Sequence, residues 1–108
     1  MQLVKEVYSL MELFPKHEKY GLCSQAKRAA VSIPSNIAEG CGRQYKRDTR
    51  QFLHIARGSL YELETILHVA VMVSILPQDK YVNMGSLIDE NARILNGLIN
   101  RYEREDLK

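Results

Sequence analysis

The chain has 108 residues, 45% of them hydrophobic and 26% charged, enough for one domain (1–108) with a buried core and too few for two. No run of about twenty uncharged apolar residues occurs, which argues against a membrane span. Lys5 and Glu6 come early with no signal-type apolar core behind them, so a cytoplasmic protein is expected. The formal net charge is only +2 but unevenly spread: between Lys27 and Arg57 seven basic residues stand against Glu39 and Asp48, a local +5 that leaves −3 for the remainder. A basic middle in an otherwise acidic chain suggests a field focused on one face and an anionic partner.

Leu3, Val7, Leu10, Met11 and Phe14 recur at steps of four, three, one and three, which predicts a short amphipathic helix. Pro15 stops it, because the residue before a proline is pushed out of the helical region. A charged linker, PKHEKYG, follows, and Ser24 or a near neighbour is expected to cap the next helix.

The stretch Ser24–Arg43, SQAKRAAVSIPSNIAEGCGR, carries two seams at helical spacing. One is small and apolar: Ala26, Ala30, Ile33, Ile37, with Cys41 as a candidate last member. The other is polar: Gln25, Arg28, Ser32, Asn36, Glu39, Arg43. A solvated helix face is ordinarily long and charged. These short or bifunctional side chains predict hydrogen bonding to a neighbouring element more readily than a catalytic site. Splitting the helix at Pro34 would leave only Ser35–Glu39 before Gly40. One helix kinked at Pro34 is therefore expected, with the carbonyl of Ala30 freed and satisfied by nearby Ser or Asn side chains or by water. Gly40 and Gly42 predict a left-handed cap. Cys23 and Cys41, eighteen residues apart, would lie about 27 Å apart on one helix. A disulfide needs Cα atoms within about 7 Å, so reduced, partly buried thiols are expected.

A basic loop, RQYKRDTR, leads into a long helix from Lys46 to about Ser74. Phe52, Leu53, Ala56, Leu60, Leu63, Ile66, Leu67, Ala70 and Val73 mark its apolar side, a recurrence near 3.5 residues that suits antiparallel bundle packing. Gly58 and Ser59 lower its helix propensity, and close approach of another helix is the expected reason. Pro77 ends the run. A last helix, about Asp79 to Tyr102, sets Met84, Leu87, Ile88, Asn91, Ile94, Leu95, Leu98 and Ile99 on one side, and the terminal EREDLK is expected to fray. With no strand-like alternation, the fold class is all-α: an antiparallel up-down-up-down four-helix bundle with a Pro-kinked second helix.

Gln25, Arg28, Ala29, Ser32, Ile33, Pro34, Asn36, Ile37, Ala38, Glu39, Gly40, Gly42 and Arg43, followed by Phe52, Leu53, Ala56, Gly58, Ser59, Glu62 and Glu64, resemble the pattern of the four-helix bundle proteins known as 23S rRNA intervening-sequence proteins. Lys27 departs from that pattern, replacing an Arg and keeping the charge without the bidentate fork. The resemblance covers nearly the whole chain. It implies a bacterial protein of the kind often encoded within segments inserted in 23S rRNA genes. It is also similar to the accessory variability determinant of diversity-generating retroelements, which implies a homopentamer with nucleic acid and a reverse transcriptase, or another nucleoprotein, as partners.

The residues themselves offer little chemistry. His54 and His68 are fourteen residues apart on one helix, about 21 Å, and His17 falls in a loop, so no metal site is predicted. Ser32, Ser35 and Ser59 lie in helix without a strained elbow or an evident base, and nothing joins Cys23 or Cys41 as a second catalytic group. Glu39, Glu62 and Glu64 suit acid-base work. The preferred reading has Glu39 and Glu62 neutralising Arg28 and Arg57 across the contact between the second and third helices. That makes Arg28, Ser32, Asn36, Glu39, Arg57 and Glu62 a structural polar network. Gly40 and Gly42 lack the preceding strand and following Lys of a phosphate loop. No cofactor is implied.

Arg43, Lys46, Arg47 and Arg50, at steps of three, one and three with Tyr45 as a stacking ring, form the candidate binding patch. The same residues suit a merely solvated face. The expectation is a non-enzymatic, oligomeric helical bundle that binds RNA or DNA without sequence preference. The alternative is a structural assembly or protein–protein adaptor whose basic patch meets an acidic protein surface.

Overall fold

The computed structural model describes residues 1–106, with side chains through Arg104. Among these residues there are four helices and no strand: α1 (Gln2–Met11), α2 (Leu22–Cys41), α3 (Lys46–Met72) and α4 (Gln78–Asp106). None of the helices is long and apolar enough to cross a membrane. The most extensive contact is between α2 and α3, followed by α3 with α4; α1 lies along α2 and touches α4. The described chain measures 50 × 23 × 20 Å.

In α1, Leu3, Val7, Leu10 and Met11 are buried as their spacing predicts. The helix ends at Met11, and the N–H groups of Leu13 and Phe14 donate to the carbonyls of Leu10 and Met11 at 3.0 and 3.2 Å, a tightened last turn that still buries Phe14. Pro15 opens a short 3₁₀ turn, Lys16–Glu18, inside the segment expected to be a plain linker.

Helix α2 begins at Leu22, before Ser24, so Ser24 does not cap it. The cap position is Gly21, and the Glu18 carboxylate accepts the Leu22 N–H at 3.4 Å. A carboxylate suits that place because the first amides of a helix lack intrahelical partners and carry partial positive charge. The helix is a single one with Pro34 inside it. Asn36 Nδ2 donates to the Ser32 carbonyl at 2.8 Å, two residues on from the Ala30 carbonyl that Pro34 was expected to leave for it. The expected left-handed cap is also absent: Gly42 has φ −85° and its N–H donates to the Ala38 carbonyl at 3.2 Å. No glycine among the described residues has positive φ.

The left-handed residue is Ser74, with φ 63°, just past the end of α3. The Ser74 N–H donates to the Val71 carbonyl at 3.0 Å and the Ile75 N–H to the Ala70 carbonyl at 2.8 Å, the two bonds of a Schellman motif. Because α3 closes at Met72, Val73 falls on the cap turn and is exposed, and Leu76 is buried instead. Ile94, expected in the core, is 57% exposed, whereas Met84, Ile88, Leu95 and Ile99 are buried. Helix α4 continues past Tyr102 through Asp106, into the segment expected to fray; Leu107 and Lys108 lie outside the described residues. One core cluster draws on all four helices, with Ala26, Ala29, Ala30 and Ile33 of α2 beside Leu53, Ala56, Leu60, Leu63 and Leu67 of α3.

Ser74 holds a backbone conformation that disfavours a Cβ by about 1–2 kcal/mol, while glycine adds chain entropy to the unfolded state. Ser74→Gly is expected to raise stability by about 0.5–1 kcal/mol, measured by chemical denaturation.

Candidate nucleic-acid interface

The site depends on how α2 and α3 meet. Ser32 and Ser59 place their hydroxyl oxygens 2.8 Å apart, and Asn36 Nδ2 donates to Ser32 Oγ at 2.9 Å. Nearer the connecting turn, Thr49 Oγ1 donates to the Gly40 carbonyl at 2.8 Å, and Thr49 is 4% exposed. A Cβ on Gly40 would sit 3.0 Å from Phe52 Cβ and 3.2 Å from the Thr49 carbonyl oxygen. Glycine is required here for close approach.

Of the six residues expected to form one polar network, Ser32 and Asn36 do bond together, joined by Ser59. The four charged members do not pair as expected. Glu39 pairs with Arg43 on its own helix at 3.1 Å, an exposed i,i+4 contact worth only a few tenths of a kcal/mol. Arg57 turns to α4, donating to Asn96 Oδ1 at 2.8 Å and to His54 Nδ1 at 2.9 Å. Arg28 and Glu62 are exposed, and among the described residues neither pairs with another side chain. The reason is helical geometry: two residues are about 200° of rotation, so with Ser59 facing α2, Arg57 must face elsewhere.

The α3–α4 polar contact was not foreseen. Because Arg57 donates to Nδ1, the His54 proton sits on Nε2, which lies 3.4 Å from Glu103 Oε1. Further along, His68 meets the Tyr81 ring at 5.9 Å between centroids. The i,i+3 spacing of His54 and Arg57 was visible in the sequence; that Asn96 and Glu103 answer them across a chain reversal was not.

The basic residues gather where α2 hands over to α3. Arg43, Lys46 and Arg47 are exposed and Arg50 half-buried. Arg43 lies 4.7 Å above the Phe52 ring, so the carboxylate of Glu39 and an aromatic face both orient it. Tyr45 is 62% exposed and precedes the first turn of α3, whose amide end adds partial positive charge. Gln44, Tyr45, Lys46 and Arg47 line an open depression of about 570 Å³. Chemically this end offers guanidinium and ammonium groups beside an exposed aromatic ring, a set suited to phosphates and a stacked base.

The thiols differ. Cys41 is exposed, contrary to its place on the apolar seam, and Cys23 is buried; both are free. Cys23 Sγ approaches the Met11 carbonyl at 3.8 Å. Burial pushes its pKa above the ordinary value, with Lys27 opposing and Glu18 reinforcing the shift.

Two outcomes follow from these contacts. Gly40→Ala gains about 1 kcal/mol of helix propensity but must displace Phe52 and a backbone carbonyl, an overpacking cost of about 1–3 kcal/mol. It should lower stability in thermal or chemical melts, whereas Gly97→Ala, where a Cβ meets nothing within 4 Å, should raise it. In the folded protein at mildly alkaline pH, iodoacetamide should modify Cys41 well before Cys23, because only a thiolate reacts and burial disfavours that form; peptide mass mapping reads the order.

The family model described as 23S rRNA-intervening sequence protein matches residues 1–97. No curated protein matches the chain.

Proposed function

The chain belongs to the 23S rRNA-intervening sequence protein family, and on that premise we propose that it is a non-enzymatic, self-associating helical bundle whose basic end holds RNA or DNA through phosphate contacts. The observation that carries the reading is the gathering of Arg43, Lys46, Arg47 and Arg50 around the exposed Tyr45 at the α2–α3 turn. Contacts of this kind neutralise phosphates and release counterions without reading sequence. The protein would then serve as an accessory to a larger nucleoprotein, a reverse transcriptase complex among the candidates. The engagement of Ser32, Ser59 and Thr49 in helix-to-helix hydrogen bonds, and of Asn36 in bonds within α2, supports a role without catalysis. Two free thiols suit the reducing cytoplasm in which this reading places the protein.

The reading includes helices that alternate in direction. Ser32 meets Ser59 while Gly40 meets Thr49, and Arg57 meets Asn96 while His54 meets Glu103; in each pair one helix advances as the other retreats. It also includes a bend in α2 at Pro34, which lacks the N–H that would bond the Ala30 carbonyl. A second reading, assembly or protein–protein adaptation without nucleic acid, is favoured by the exposed apolar residues Val69 and Met72 on α3.

Titration of a structured RNA and a DNA duplex across a salt series tests the proposal. Affinity should fall as salt rises, and Arg47→Glu with Arg50→Glu should lower it at least tenfold and flatten the logarithmic salt slope by about 1.8 on duplex DNA, the share of two phosphates. No affinity at low salt, or affinity untouched by that double substitution, leaves the second reading.

A further inference from the structure

Between Gly58 and Met72 the only exposed α3 residue with a formal charge is Glu62, Glu64 being half-buried; Gly58, Tyr61, Thr65, Val69 and Met72, with His68 at the edge toward α4, complete the outer face. A solvated helix face carries far more charge than this. Gly58 sharpens the anomaly. Close approach of another helix is the ordinary reason for a glycine inside a helix, yet a Cβ at 58 meets nothing within 4 Å. The space against this part of α3 is empty in the single chain.

A second unfilled surface lies on other helices. Val4, Lys5 and Tyr8 of α1, with Met1, face Val31 and Pro34 of α2 across a groove of about 440 Å³. Its rim is basic: Lys5 lines it, Lys27 Nζ stands 5.0 Å from the Tyr8 ring centre, and Arg28 lies one turn before Val31. Arg28 and Glu62, expected from the sequence to neutralise charge between the second and third helices, make no such contact within the chain.

We propose that the outer face of α3 of one copy seats in the α1–α2 groove of another, with Glu62 of the first meeting Lys27 and Arg28 of the second. This rests on the self-association proposed above and names its surfaces. A second copy is the occupant because the chain carries both complements: an apolar ridge with one acid, and an apolar groove with a basic rim. Gly58–Met72 spans about 21 Å, and the α1 wall from Met1 to Tyr8 about 10 Å, so the groove takes two turns of the ridge. Ridge and groove are different surfaces, so each contact leaves one of each free, and the contact repeats until a ring closes or a filament grows.

Sedimentation velocity on the full chain tests this with Glu62→Arg, Arg28→Glu, and an equimolar mixture of the two, circular dichroism verifying that each stays helical. The wild type should associate, and each variant alone should bind itself about tenfold or more weakly, since like charges then meet. The mixture should recover association, because each reversed charge finds its opposite on the other chain. A wild type that stays monomeric at the highest concentration reached overturns both this contact and the self-association reading. A wild type that associates, with single variants that match it or a mixture that does not recover, overturns the ridge-and-groove contact alone.

Discussion

Where α2 meets α3, the absence of a side chain at Gly40 lets the two backbones come within reach of one hydroxyl, and Thr49 Oγ1 donates to the Gly40 carbonyl at 2.8 Å. The contact has several consequences. It buries a threonine whose only polar atom is satisfied, as a buried hydroxyl requires. It brings Phe52 against the end of α2, where its ring supports Arg43 at 4.7 Å. Only Gly42–Tyr45 then remain to connect the helices, so Lys46 and Arg47 must project from the same end of the bundle as Arg43. The basic end is thus a product of tight packing one turn below it.

Polar groups divide between the two sides of α3 by rotation. At about 100° per residue, Thr49 and Ser59 turn toward α2, while His54, Arg57 and His68 turn toward α4. On the α2 side the bonds are between neutral hydroxyl and amide groups, which cost little to desolvate once paired. On the α4 side they include a guanidinium that stays half-exposed, in keeping with the large penalty for burying a charge fully. Ser32 and Gly40 of α2 therefore serve to join helices, and the basic residues proposed to hold phosphate lie just beyond them.

Much of the architecture was legible in the sequence. The start of α3 at Lys46, the passage of one helix through Pro34, and the burial of Leu53, Ala56, Leu60, Leu63 and Leu67 follow from periodicity and breakers, which act locally. The caps were not legible. Ser24 has the right chemistry for an N-terminus, but the Glu18 carboxylate, brought round by a 3₁₀ turn, reaches the first amides sooner. Gly40 and Gly42 have the right chemistry for a left-handed cap, but glycine also serves close approach, and composition alone does not separate the two uses. The position that is left-handed holds serine.

For the candidate site, the sequence by itself determined which residues are basic, their steps of three, one and three, and their place beside a turn, because spacing along one helix follows from its pitch. It also pointed to the bond that Ser32 makes to a neighbouring helix, since a short polar side chain beside an apolar seam has little else to meet, whereas Asn36 bonds within α2. Only the tertiary structure decided which charges find partners. Arg57 goes to Asn96 and His54, Glu39 stays with Arg43, and Arg28 and Glu62 remain outside. Those choices depend on the relative rotation of helices far apart in sequence. The summed packing of the whole core sets that rotation, and no local pattern records it.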